Sequence, residues 1–118
     1  MTEKRDMSLM EVAFRNLRAA GLSRTRAITG AAKACEYIWA WAHVARDLGR
    51  DPTRLEYAQY WKFTERHAYQ ELDVFKRAFP TERDPLRLAH WLNDQFDDAL
   101  VSDMVVHSVK VPASLGLA

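Results

Sequence analysis

Between Lys62 and Arg77 the chain collects side chains of the kinds that hydrogen-bond to duplex DNA: Lys62, Thr64, Glu65, Arg66, Tyr69, Gln70, Asp73, Lys76 and Arg77. Arg66 can donate two hydrogen bonds to a guanine edge, and Gln70 can pair with adenine. Glu65 can accept from cytosine, although its charge repels phosphate. Tyr69 joins an apolar ring to a hydroxyl, which suits a thymine methyl or a phosphate oxygen. Lys62, Lys76 and Arg77 offer cations to the backbone, as do Arg54, Arg24 and Arg26 nearby. Arg66, Tyr69, Gln70 and Asp73 lie three and four apart, so a helix would place them on one face. The solvated side of any amphipathic helix has this pattern too, so the surrounding elements must decide.

Those elements lie in 51–79, DPTRLEYAQYWKFTERHAYQELDVFKRAF. The spacing predicts two helices joined by a very short turn. Thr53 and Glu56 can form a capping box at the first helix. Leu55, Ala58 and Trp61 make its inner stripe, with Tyr57 beside it. Thr64 is the expected N-cap of the second helix. Ala68, Leu72, Phe75 and Phe79 then follow at helical spacing, and Pro80 stops the helix. Small residues at Ala58 and Ala68 would let the two helices cross closely, with Phe63 plugging the gap between them. Such a pair is a helix-turn-helix, whose second helix enters the major groove with its N-terminal residues at the base edges.

On Ala58, Trp61, Phe63, Thr64, Ala68, Tyr69, Phe75, Phe79 and Pro80, the stretch resembles the helix-turn-helix regions of small regulators from actinobacteria and their phages. The resemblance covers roughly a quarter of the chain and implies a DNA-binding fold. It has two departures. Lys62 stands where such proteins often carry Gly, so the turn is strained unless Lys62 turns left-handed. Gln70 stands where Arg is common, which removes a cation from the reading helix.

The 118 residues suit one domain, 1–118, with 1–7 frayed and 112–118 a flexible tail. Hydrophobic residues at 48% and charged residues at 28% allow a packed core. The net charge of +1 is low for a nucleic-acid binder, but its distribution is uneven. Residues 1–50 hold nine Lys/Arg against five Asp/Glu, residues 51–79 five against five, and residues 80–118 three against six. The basic N-terminal half can track phosphate, or it is ordinary solvated charge. Cys35 is the single cysteine, so no internal disulfide forms. The N-terminus MTEKRDMSLM lacks an apolar signal region, and no apolar run approaches the length of a membrane span. These features predict a cytoplasmic protein with no membrane partner.

Three further helices are expected. Ser8 and Glu11 form a capping box before Leu9, Val12, Ala13, Phe14, Leu17 and Ala20, with Gly21 as a left-handed cap. Ser23 caps a long helix with an inner stripe of Ala27, Ile28, Ala31, Ala34, Cys35, Ile38, Trp41, Ala42, Ala45 and Leu48, ended by Gly49. Gly30 inside it costs about 1 kcal/mol relative to Ala, which allows a bend or a later start. Trp39 falls off the stripe, which leaves it a core role or a place in a dimer interface. Asp84 and Pro85 open a last helix with Leu88, Leu92, Phe96 and Ala99 inward and Trp91 on its flank. Residues 101–111 alternate through Val105, His107, Val109 and Val111 as a strand would, yet no partner strand is evident. They extend the last helix, add to a partner chain, or form an irregular tail.

Catalytic chemistry finds little footing. His43, His67, His90 and His107 are dispersed, and one Cys cannot complete a zinc motif. Cys35 falls on an apolar stripe, as a structural thiol does. Asp94, Asp97 and Asp98 lack the spacing of a calcium loop. No glycine-rich phosphate loop is present. The expectation is an all-α domain of four to five helices around a helix-turn-helix, with the C-terminal segment extended in one alternative. It is no enzyme and uses no cofactor and no metal. It binds duplex DNA sequence-specifically as a homodimer and serves transcriptional regulation. The alternative is a non-catalytic protein-interaction adaptor that keeps the fold without binding DNA.

Overall fold

A computed structural model describes residues 7–82, 85–95 and 110–111. Among these residues the architecture is all-α: α1 (Leu9–Ala19), α2 (Arg24–Leu48), α3 (Arg54–Trp61), α4 (Glu65–Ala78) and α5 (Leu86–Gln95). Two short strands, β1 (Met7–Ser8) and β2 (Lys110–Val111), complete it. No helix of the described residues is long and apolar enough to cross a membrane.

The helix starts follow from local hydrogen bonds. Ser8 and Glu11 form a reciprocal capping box, and so do Thr53 and Glu56. Ser23 accepts from the Arg26 N–H, and Thr64 from the His67 N–H. Each satisfies amide groups that the first turn of a helix leaves without partners. Gly21 and Gly49 turn left-handed beyond the helix ends, at φ 98° and 70°, where a Cβ would be strained.

Helix α2 is the axis of the domain, in contact with each of the other four helices. Its alanines bring neighbours close. A Cβ on Gly30 would lie 2.9 Å from Leu17 Cδ1 of α1, so any larger residue there would push that side chain aside. The helix runs unbroken through it from Arg24, so of the two alternatives at Gly30, a bend or a later start, the later start does not occur. The buried surface of α2 is also wider than one stripe. Tyr37 and Val44 are fully buried, while Ile28 and Leu48, expected inside, are 45% and 40% exposed. With α1, α4 and α5 packed around it, α2 buries whatever side faces each of them.

Tyr37 anchors the aromatic part of the core. Its ring lies 5.4 Å from Tyr57 of α3 and 5.5 Å from Phe75 of α4. Trp41 stacks on Tyr57 at 5.1 Å. Asn16 of α1 donates to the Ala78 carbonyl at 2.7 Å, which ties α1 to the end of α4. Cys35 is buried, and burial pushes its thiol up to about 12, so it stays protonated and packs as a small apolar group.

The C-terminal segment does find a partner within the chain. Met7 pairs with Val111 and Ser8 with Lys110, antiparallel. Met7, expected in a frayed arm, is therefore held in β1, and Val111 is buried. Residues 1–6, 101–109 and 112–118 lie outside the described residues, as do Asp84, Phe96, Asp97, Asp98 and Ala99. In α5, Leu88, Ala89 and Leu92 face the core, Trp91 is half-buried and Asp94 is exposed.

A surface ion pair closes the approach to α3. The Arg50 guanidinium donates to Glu56 Oε1 at 2.8 Å, and the Thr53 N–H donates to the same oxygen at 2.9 Å. The Arg50 hydrogen bond, helped by Thr53, holds the Glu56 carboxyl down at about 2, below its ordinary 4.5. A carboxyl lowered by folding stabilises the fold fully above its unfolded value, and that gain is lost as pH falls through its folded value. Glu56→Gln should therefore flatten the fall in stability between pH 4.5 and 2. Urea midpoints across that range measure it. An acid limb identical to wild type would contradict the coupling.

Candidate nucleic-acid interface

Helix α3 ends in a three-residue turn, Lys62–Phe63–Thr64, and α4 begins at once. Lys62 takes the left-handed conformation at φ 59°, ψ 41°. For a residue with a Cβ this costs about 1–2 kcal/mol. Two backbone hydrogen bonds offset the cost: Lys62 N–H to the Gln59 carbonyl at 3.2 Å, and Phe63 N–H to the Ala58 carbonyl at 2.8 Å. The second satisfies a carbonyl that the helix end would otherwise leave open. The conformation that glycine takes freely is thus supplied by a lysine.

Packing of the pair departs from the expected stripes in two places. Ala58 and Ala68 are buried as expected, at 2% and 0% exposure. Leu55, expected inside, is 51% exposed, and Tyr57, expected beside the stripe, is fully buried. Eight residues make barely two turns, so the side of α3 that meets α2 and α4 is set by its neighbours rather than by its own periodicity. Phe63 covers the gap between the helices only partly, with its ring 6.2 Å from that of Tyr57 in α3. It is exposed, with its ring 4.3 Å from that of His67. Trp61 is half-buried, and its indole N–H donates to the Ala40 carbonyl at 3.3 Å. Trp39 packs partly buried against the same side, with its ring 5.7 Å from Trp61 and 5.3 Å from His43.

A hydrogen-bonded chain holds α4 against α3. The Tyr57 hydroxyl donates to Glu71 Oε2 at 2.7 Å, and His67 Nε2 lies 2.9 Å from Glu71 Oε1. Burial, reinforced by the Glu71 carboxylate, raises the Tyr57 phenol well above its ordinary range, so it remains a donor. The His67–Glu71 spacing is visible in the sequence as an i,i+4 pair. Tyr57 comes from another helix, and no local pattern announced it.

The outer side of α4 carries most of the expected reading residues. Lys62, Thr64, Glu65, Arg66, Tyr69, Gln70, Asp73 and Arg77 are exposed, and Lys76 is half-buried. Several already have partners. Thr64 is engaged as the cap. The Arg54 guanidinium lies 3.9 Å from the centroid of the Tyr69 ring, a cation–π contact that fixes the ring. Asp73 pairs with Arg77 at 3.5 Å, which offsets one cation. Arg66 and Lys62 have no ion-pair partner among the described residues. Gln70 borders a cavity behind α4 as well as facing outward.

The chain matches no family model, no curated protein and no solved structure. Geometry and chemistry are therefore what bear on function. Helix α4 is about 21 Å long at 1.5 Å per residue, and a major groove about 12 Å wide admits a helix of this kind. Among the described residues, no three His, Cys, Asp or Glu side chains come together as a metal ion would require.

Proposed function

We propose that the protein binds duplex DNA sequence-specifically through α3, the Lys62 turn and α4, and that it regulates transcription inside the cell. The observation that carries this reading is the three-residue turn with a left-handed Lys62, followed at once by a capped helix. It leaves Glu65, Arg66 and Tyr69 exposed in the first turns of α4, where a reading helix meets base edges. Arg66 contacts guanine, and Tyr69, steadied by Arg54, lies against a thymine methyl or a phosphate. Two copies of the chain read two half-sites of a pseudo-palindrome.

Arg66→Ala should weaken binding to a selected operator by about 5- to 150-fold, the loss of one bidentate base contact. Thermal melting should not change, because Arg66 is exposed and packs on nothing in the core. Affinity and melting measured side by side check this. Unchanged affinity would remove α4 as the reading helix.

A second reading, a protein-interaction adaptor with the same fold, is favoured by one observation. Asp73 offsets Arg77, and Glu65 stands beside Arg66, so the outer face of α4 has little net positive charge. On that reading the exposed aromatic rings Tyr60, Phe63 and Tyr69 are the contacts.

A further inference from the structure

Behind the outer face of α4, between α2, α3 and α4, lies a cavity of about 360 Å³. We infer that it is a binding site for a small aromatic ammonium compound. Its volume falls in the range of small-molecule sites, roughly 300–1,000 Å³. Trp39, Trp61 and Phe63 supply its apolar walls. The faces of such rings carry negative charge density and attract organic cations. They also stack on a flat apolar body.

Polar groups at the rim specify the sign of the charge. Glu36 and Glu71 face Lys33, the single lysine among the lining residues, and His67, which is cationic only when protonated. Glu71 is occupied, accepting from Tyr57 and lying 2.9 Å from His67 Nε2. Glu36 is exposed and has no ion-pair partner among the described residues, so it is the carboxylate free to meet an ammonium. Gln70 adds a carbonyl that can accept a second N–H. An anion would meet the charges of Glu36 and Glu71, offset only by the flexible Lys33 and, when protonated, by His67. The site stands whether or not α4 meets DNA, since every group named belongs to the cavity itself.

The test uses three probes of one shape: phenethylammonium, neutral 2-phenylethanol and anionic phenylacetate. Binding is followed by indole fluorescence and by calorimetry on the full chain. Phenethylammonium should bind saturably at about 1 mM or below, and the other two about tenfold more weakly. Glu36→Gln lies on the surface and spares the fold. It should weaken phenethylammonium by about fivefold and leave 2-phenylethanol unchanged. Absence of saturable phenethylammonium binding up to about 10 mM would overturn the inference. So would equal affinity for phenylacetate, or an ammonium affinity indifferent to Glu36→Gln.

Discussion

Phe75→Ala should lower the stability of the fold by about 3–5 kcal/mol, the range for deleting a buried aromatic ring. Phe75 has no exposed surface, and its ring lies 5.5 Å from Tyr37 and 5.4 Å from Phe79. Those neighbours belong to a long helix and to the end of α4, neither of which can move inward without breaking other contacts. The cavity would therefore persist, and its lining would lose both transfer energy and dispersion. A domain of this size is stable by only about 5–15 kcal/mol, so the variant would be marginal at 37 °C. Urea denaturation measures the change. Phe75→Leu, which fills more of the space, should cost less. A loss below about 1 kcal/mol for the alanine variant would contradict the burial of the ring.

On the proposed reading, DNA affinity should fall about 60- to 250-fold between 50 and 200 mM salt for one module, and about 4,000- to 65,000-fold for the dimer. Each phosphate contact releases counterions and contributes a log–log slope near −0.9. The candidate cations are Arg54, Lys62, Lys76 and Arg77, with Arg24 and Arg26 at the start of α2. Pairing with Asp73 offsets Arg77, and Lys76 is half-buried. About four of the six reaching phosphate gives a slope of roughly −3 to −4 for one module, and twice that for a dimer. Titration of duplex fragments, including the protein's own promoter region, measures it. Contacts through Tyr60 or Phe63 to a protein partner would respond weakly to salt. No binding to any duplex even at low salt would reject the DNA reading and promote the adaptor.

Much of the helical framework was legible because its causes are local. Ser8 with Glu11, Ser23, Thr53 with Glu56, and Thr64 each cap a helix through a backbone group three residues away. Gly21 and Gly49 end helices by adopting a conformation that costs them little. The turn at Lys62 was legible only as a conditional: a lysine in place of glycine strains the turn unless it adopts the left-handed conformation, uncommon for it, and it does. The candidate reading residues were legible too, since a capped helix with Ala68 and Phe75 inward must turn Arg66, Tyr69 and Asp73 outward.

Other features depend on which surfaces meet, and no local pattern encodes that. Periodicity assigned Ile28 and Leu48 of α2 to the interior and passed over Tyr37 and Val44, because a helix touched on several sides has no single inner stripe. Leu55 was misassigned because α3 is too short for its own period to fix its buried side. Met7 and Val111 pair across almost the whole chain, and two residues on each side are too few to show strand alternation. Tyr57 donating to Glu71 joins two helices, as does the cavity wall of Trp39 and Trp61. The sequence by itself determined the helices, their caps and the polar face of α4, because hydrogen bonds within four residues and a 3.6-residue period suffice for these. The tertiary structure alone decided the pairing of the terminal strands, the buried side of α3 and the aromatic cavity behind α4, because each requires groups far apart in the chain to exclude water from one another.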